Sequence, residues 1–174
     1  MIRRKLIADT ANRILEANNV IGPAVDVKAL AELEGAVVVA EPEATGFSGF
    51  LYQSGDSAPI IGVNSHHSGS RRRFTIAHEL GHLLLHAKRG VHLDKAIVQM
   101  RGDKAAAGTD EQEIEANRFA AELLMPRKFL ESDLAAMGQL FVDDEKVISR
   151  LASRYGVSSQ AMAIRLSSLG LVWI

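Results

Sequence analysis

The chain has 174 residues, an apolar fraction of 47%, a charged fraction of 24% and a net charge of −1. These values are ordinary for one folded domain, and they argue against long disorder and against a basic surface that would attract nucleic acid or anionic lipid. The chain has no cysteine, which excludes disulfides and thiolate metal sites. Because no stretch has the length and apolar character of a signal peptide or a membrane span, we expect a cytoplasmic protein without membrane contacts.

The first third of the chain is predicted to contain two helices and a strand. Apolar residues at helical spacing predict an amphipathic helix over residues 3–18. A second helix is predicted between Asp26, a suitable N-cap, and Gly35, a suitable terminator. The β-branched run at 36–40 then predicts a short strand.

The following segment predicts a β-hairpin. In residues 45–64, TGFSGFLYQSGDSAPIIGVN, two apolar runs flank a good turn at Ser54–Ser57. One further strand is predicted around Ala96–Met100, followed by a loop rich in alanine and glycine.

The second half of the chain is predicted to be helical. Thr109 and Gln112 form a capping box, and Pro126 marks the end of the helix that they begin. Residues 127–169 continue as helices. Early strands and later helices indicate the α+β class, with a core at 1–126 and a helical C-terminal subdomain at 127–174.

The segment 74–86, FTIAHELGHLLLH, carries the clearest chemical signal. His78, Glu79 and His82 form the pattern H-E-x-x-H within an apolar run of helical character. Residues four apart share one helix face about 6 Å apart along the axis, so both imidazoles can bind one ion. Glu79 lies beside the open coordination position, where it can take a proton from water. The alternative is a pair of histidines with a purely structural role.

His86 is not expected to be the third ligand. On a straight helix it lies about 12 Å along the axis from His78 and about 80° round it, so the two cannot share an ion. We expect His86 to donate a hydrogen bond or to close the helix end.

A third ligand is predicted on the helix at 109–126. Glu113 and Asn117 share its apolar face, whereas Glu115 falls on the opposite, solvent-facing side with Arg118 and Glu122. A carboxylate on a buried face needs a partner, and a metal ion supplies one. Glu113 is therefore predicted to be the third ligand, although a buried salt bridge to an arginine would also satisfy it. Asn117, one turn on, is placed to hold a ligating histidine by its other ring nitrogen.

Peptide hydrolysis at such a site also requires a donor for the developing oxyanion. The candidates are Tyr52, His66, His67 and His86. The strand APIIGVN, residues 58–64, is expected to run along the cleft, where an exposed edge could pair with an extended substrate. The alternative is an ordinary paired strand.

Residues 148–170 resemble a helix-turn-helix, with Ser158 as a possible cap of the second helix. Arg165 is the only cation on that second helix, whereas DNA binding requires several phosphate contacts. The basic run at 71–73 is explained equally well as a solvated start of the helix that carries the histidines. The sequence therefore favours structural support or substrate docking over DNA binding.

Two motifs together resemble the ImmA/IrrE family of metallo-endopeptidases. They are RRFTIAHELGHLLLH at 72–86 and EIEANRFAAELLMP at 113–126. The resemblance implies a zincin-like fold and a Zn²⁺ ion, with Mn²⁺ or Co²⁺ also acceptable to this ligand set. It assigns the ligands to His78, His82 and Glu113 and catalysis to Glu79. Asn117 occupies the place of an aspartate in related zincins.

The resemblance also implies a substrate. Members of this family typically cleave a cognate helix-turn-helix repressor, which relieves repression of stress-response or mobile-element genes. The alternative is a non-catalytic zinc scaffold, which would act as a regulator or toxin–antitoxin component through protein or DNA binding.

Overall fold

The computed structural model describes residues 1–42, 47–55, 57–86, 90–95, 107–135 and 144–171. Seven helices and a four-stranded mixed sheet occupy these residues, which confirms the predicted α+β class. In chain order the elements are α1 (Arg4–Ala17), α2 (Val27–Leu33), β1 (Val37–Glu41), β2 (Phe47–Gln53), β3 (Ile60–Asn64), α3 (Gly69–Leu85), β4 (Gly90–Lys95), α4 (Ala107–Leu124), α5 (Arg127–Ala135), α6 (Glu145–Tyr155) and α7 (Ser159–Ser168).

The sheet has the strand order β1-β3-β2-β4. Strands β2 and β3 form the predicted antiparallel hairpin, and β1 pairs with β3 in parallel. Strand β3 is therefore an interior strand, and the prediction that its edge is exposed to a substrate was wrong. Both of its edges are occupied because the chain passes from β1 to β2, two positions away in the sheet, and β3 then fills the position between them. The edge position beside β2 belongs to β4, whereas the strand predicted at Ala96–Met100 lies outside the described residues.

Helix α3 packs on one face of the sheet, over β2 and β3. Ile61 and Val63 of β3 are buried there beneath Ile76 of the helix. A glycine in β2 allows the close approach, since a Cβ on Gly49 would overlap the side-chain methyl group of Thr75 on α3. Packing on the sheet thus fixes the distance between the strands and the helix that carries H-E-x-x-H.

Helices α3 and α4 also approach closely, at a glycine within the metal motif. A Cβ built on Gly81 would lie 3.0 Å from the Phe119 ring and 3.2 Å from the Ala116 Cα. Small residues at such a crossing let helix backbones pack more closely than larger side chains would permit. The contact brings the N-terminal half of α4 beside His78 and His82.

Two of the predicted helix caps are present and one is not. The Asp26 side chain accepts a hydrogen bond from the amide of Ala29, and the Ser158 hydroxyl does the same at the start of α7. Helix α4 begins at Ala107, so Thr109 lies inside it and the predicted capping box was wrong. A capping box requires its first residue at the N-cap, outside the helix, whereas Thr109 is the third residue of α4.

The C-terminal helices share the hydrophobic core of the rest of the chain. Leu151 and Leu166 are fully buried in the same cluster as Leu123 of α4. Arg165 of α7 is also buried: its guanidinium donates to both carboxylate oxygens of Glu122, and its Nε donates to a backbone carbonyl. None of the described helices combines the length and apolar character needed to cross a bilayer.

Candidate metal centre

Two imidazoles on α3 point to the same side of the helix. His78 and His82 are separated by one turn, and both are buried, at 1% and 4% exposure. Their rings are arranged edge to face, with centroids 4.7 Å apart and planes inclined by 70°. Their Nε2 atoms lie 3.0 Å apart. Two imidazole nitrogens that face each other in this way present their lone pairs to one point in space.

A carboxylate from α4 completes a group of three. Glu113 places one oxygen 3.3 Å from His78 Nε2 and the other 3.3 Å from His82 Nε2. Ligands held about 2.0–2.1 Å from a tetrahedral Zn²⁺ are separated from one another by about 3.3 Å. The donor atoms are therefore spaced as the ligands of such an ion are, and among the described residues these three could hold a metal ion.

Asn117 fixes the orientation of one imidazole. Its Oδ1 lies 3.1 Å from His78 Nδ1, and an amide oxygen can only accept a hydrogen bond. The Nδ1 atom must then carry a proton, and Nε2 is the ring nitrogen that faces His82 and Glu113 and could bind an ion. The contact is the one that the helical wheel predicted for Asn117.

The protonation states of the group also suit a cation. Burial lowers the pKa of His82 to about 4, although Glu113 acts against this shift, so the imidazole is neutral near pH 7. Burial by itself would raise the pKa of Glu113, but its contacts with His78, His82 and His92 outweigh burial and hold that pKa well below its usual range. A neutral imidazole and an ionised carboxylate are the forms that bind metals.

Glu79 lies between the two histidines in sequence and is fully buried. Its Oε2 is 3.4 Å from Nδ1 of His92, a residue of strand β4. Glu79 thus lies within reach of an imidazole that also contacts Glu113.

His92 is the residue of this site that the sequence analysis missed. Its Nε2 lies 2.9 Å from Glu113 Oε1, and its ring stacks on that of His82 with centroids 3.9 Å apart. The Glu113 carboxylate, which is hydrogen-bonded to His92, and the nearby Glu79 carboxylate raise the pKa of His92 to about 10. Leu51 and His92 are partners in the β2–β4 register, and Leu51 is buried, so His92 faces α3.

Of the four residues predicted as oxyanion donors, Tyr52 points away from the metal-binding group, whereas the His86 ring lies 5.4 Å from the His82 ring, centroid to centroid. Tyr52 is paired with the exposed Val91 and lies on the sheet face opposite α3, because alternate strand residues point to opposite faces. His66 is exposed and His67 half-buried in the loop before α3. His86 ends α3, where its amide donates to the His82 carbonyl and its Nε2 lies 2.9 Å from a Glu115 oxygen.

The prediction that Glu115 faces solvent was wrong. Glu115 is 4% exposed and accepts hydrogen bonds from the Arg3 backbone amide and guanidinium. The same helix face carries Arg118 and Glu122, which are half-buried, and Glu122 contacts Arg165. A helical wheel shows which residues share a face of a helix, but not which faces other parts of the protein cover. Here α3 covers one side of α4, and the start of the chain together with α7 covers the other.

Two histidines four residues apart on a helix, a glutamate between them and a carboxylate from a following helix define a metal site of the zincin type. The chain belongs to the Peptidase_M78 family, because the family model described as the IrrE N-terminal-like domain matches residues 31–167. Membership confirms the resemblance that the two sequence motifs indicated.

Two individual proteins show further similarity. "Uncharacterized immunity region protein 2" of Bacillus phage phi105 is 36% identical over 66 residues, which cover 38% of this chain and 37% of the phage protein. The solved structure of a Mycobacterium tuberculosis transcriptional regulator superposes with a TM-score of 0.63 and 20% identity, over 92% of this chain and 55% of that one. The chain thus spans about half the length of the solved relative, and the likeness to it shows the fold.

Proposed function

We propose that this chain is a zinc-dependent endopeptidase that cleaves a helix-turn-helix transcriptional repressor in the cytoplasm. The observation that carries the proposal is the group of His78, His82 and Glu113, with the buried Glu79 close by, since the His92 ring contacts both Glu113 and Glu79. The residues fit a Zn²⁺ ion in number, chemical type and spacing. When bound, such an ion polarises a carbonyl and lowers the pKa of water toward neutrality.

The chain's own residues account for the proton transfers. Glu79 takes a proton from the attacking water as the water oxygen bonds to the carbonyl carbon of the scissile peptide. The same carboxyl group then delivers that proton to the amide nitrogen as the C–N bond breaks. Asn117 holds the His78 ring in place, and burial keeps His82 in the neutral form that metal binding requires.

A substrate of extended conformation suits the edge of the sheet. Among the described strands, β4 pairs on one side only, with β2. An extended peptide can add to such an edge through main-chain hydrogen bonds. Strand β4 also carries His92 toward α3, so a peptide on this edge would pass beside Glu79 and Glu113.

The assignment of a repressor as substrate is supported by the names of the relatives. One comes from a phage immunity region and the other is a transcriptional regulator. The family resemblance implies the same class of substrate. A repressor acts on DNA inside the cell, and the proposed function therefore requires a cytoplasmic location.

The test is a cleavage assay with the purified, zinc-loaded protein and a helix-turn-helix repressor encoded beside its gene. We expect a defined cleavage that a chelator abolishes and that added zinc restores. Glu79→Gln should bind zinc as the wild type does and should lose cleavage, since an amide cannot accept the proton. Glu131→Gln, which removes an exposed carboxylate on α5, is the matched control.

Cleavage by Glu79→Gln at the wild-type rate would contradict the role of Glu79. Zinc binding without cleavage of any adjacent repressor, combined with a shift of DNA on a native gel, would support a non-catalytic regulator instead.

A further inference from the structure

We propose that His92 is a catalytic residue of this site, which donates a hydrogen bond to the oxygen of the scissile carbonyl as negative charge develops there. The inference rests on the proposed peptidase function and identifies the donor that the sequence analysis could not select.

The position of the imidazole carries the inference. His92 spans the two carboxylates of the site, with Nε2 2.9 Å from Glu113 and Nδ1 3.4 Å from Glu79. The general base and the anionic ligand lie on either side of the reacting group in the proposed reaction. The ring lies between the two carboxylates, so a carbonyl that is brought to Glu79 lies beside it and within reach of one of its N–H groups.

His92 is more exposed to solvent than the two metal-binding histidines, and it comes from a different secondary-structure element. Its side chain is 35% exposed, whereas those of His78 and His82 are 1% and 4% exposed. It comes from the edge strand β4 and not from α3. Among the described residues, the group whose donor atoms could hold a metal ion consists of His78, His82 and Glu113 and does not include His92. A substrate can therefore contact His92 without displacing a ligand.

The ring is held in a defined orientation. It lies against the His82 ring with an interplanar angle of 32° and a centroid separation of 3.9 Å. The nitrogens are in the ring plane, so stacking on His82 directs them to the sides, toward the two carboxylates. A donor held by packing does not need to reorient as charge develops, and this is the property that makes such donors effective.

The strand that carries His92 fits the same role. A peptide added to β4 would lie one strand spacing, about 4.8 Å, from its backbone. His92 is thus adjacent to any carbonyl that the edge brings to Glu79. By contrast, Tyr52 lies on the other face of the sheet, and His86 contacts Glu115.

The first test uses the Co²⁺-loaded protein and acetohydroxamate, a small ligand that places two oxygens on a metal. Its affinity is measured from the visible absorption of Co²⁺ during titration. We expect His92→Ala to weaken binding about five- to tenfold, the effect of one lost hydrogen bond, while the Co²⁺ spectrum before titration is unchanged. His92→Gln retains an N–H donor and should recover part of the affinity.

The matched control is Val91→Ala, on the same strand and the opposite face, where the side chain is 59% exposed. It should leave hydroxamate affinity, zinc affinity and thermal stability as in the wild type. In the cleavage assay, His92→Ala should lower kcat about 100-fold with little change in KM, as loss of an oxyanion donor does.

Each contrary outcome has a distinct meaning. Unchanged hydroxamate affinity and unchanged kcat in His92→Ala would overturn the inference. A changed Co²⁺ spectrum before titration would also overturn it, because His92 would then be a metal ligand. Failure of the proposed function is recognised separately, by the absence of repressor cleavage in the zinc-loaded wild type, and the hydroxamate titration does not depend on a protein substrate.

Discussion

The Arg3 guanidinium donates hydrogen bonds to both carboxylate oxygens of Glu115, two residues after Glu113 on the same helix. The backbone amide of Arg3 donates to the same carboxylate at 2.7 Å, and a further guanidinium N–H donates to the Leu85 carbonyl at the end of α3. His86 contacts Glu115 from the other side. The first residues of the chain thus join the C-terminal end of α3 to the middle of α4, the two helices that supply the metal-binding group.

The Arg3–Glu115 contact should appear as a pH-dependent stability. Hydrogen bonds from Arg3 lower the pKa of Glu115 from 4.5 to about 2. A depressed pKa stabilises the folded state above pH 4.5, and the contribution is lost as pH falls from 4.5 toward 2. Glu115→Gln should lower the free energy of unfolding by about 2 kcal/mol at pH 7, with a difference that shrinks below pH 4.5.

Urea unfolding between pH 7 and pH 3 measures this effect. Glu131→Gln, which removes a carboxylate from an exposed pair on α5, should change stability by less than about 0.5 kcal/mol at every pH. A Glu115→Gln difference that is constant with pH would show that packing, and not the charge, is responsible.

Asn117→Ala should weaken zinc binding about 10- to 100-fold without unfolding the protein, because His78 would lose the acceptor that orients it. Asn117→Asp keeps an acceptor and adds charge, so its zinc affinity should equal or exceed that of the wild type. Competition with a chromophoric chelator measures both. Equal zinc affinity in the wild type and both variants would show that Asn117 does not contribute to metal binding.

Gly81→Ala should lower zinc affinity with little change in stability. The new methyl group would lie 3.0 Å from the Phe119 ring and 3.2 Å from Ala116, so α4 must shift by a few tenths of an ångström and carry Glu113 with it. Alanine favours the helix by about 1 kcal/mol over glycine, which offsets the cost of the contact. Zinc competition and thermal unfolding of the same variant measure the two effects separately.

Arg165→Ala should destabilise the fold by about 3 kcal/mol, because it leaves the Glu122 carboxylate without its buried partner. Arg150→Ala, which changes an exposed cation on α6, should have an effect below about 0.5 kcal/mol. Urea unfolding at pH 7 compares the two. Similar small effects in both would mean that Arg165 is solvated and available to other partners.

The parts of the site that depend on local periodicity could be predicted from the sequence. The spacing of His78 and His82 is fixed by one helical turn, and Glu113 and Asn117 fall on the apolar face of their own helix. Each inference needs only the geometry of a single helix and the cost of burying a charge. The structure brings all four side chains together.

The parts that depend on distant pairing could not be predicted in this way. His92 reaches the site because β4 pairs with β2 in a register that opposes His92 to Leu51, and a shift of one residue would turn it to solvent. Glu115 is buried by Arg3, over a hundred residues away in sequence. The sequence analysis predicted a strand at Ala96–Met100 and none at β4, and only the register shows which face of β4 lies against α3.

The central claim, that α3 and α4 jointly hold one metal ion, is tested most directly by the zinc affinity of Glu113→Ala against that of Glu111→Ala. Both variants remove a carboxylate from α4, but Glu111 is more than half exposed and contacts only the chain's amino terminus among the described residues. We expect one tightly bound zinc ion in Glu111→Ala, as in the wild type, and a loss of at least about tenfold in affinity in Glu113→Ala. Equal zinc affinity in the two variants would contradict it.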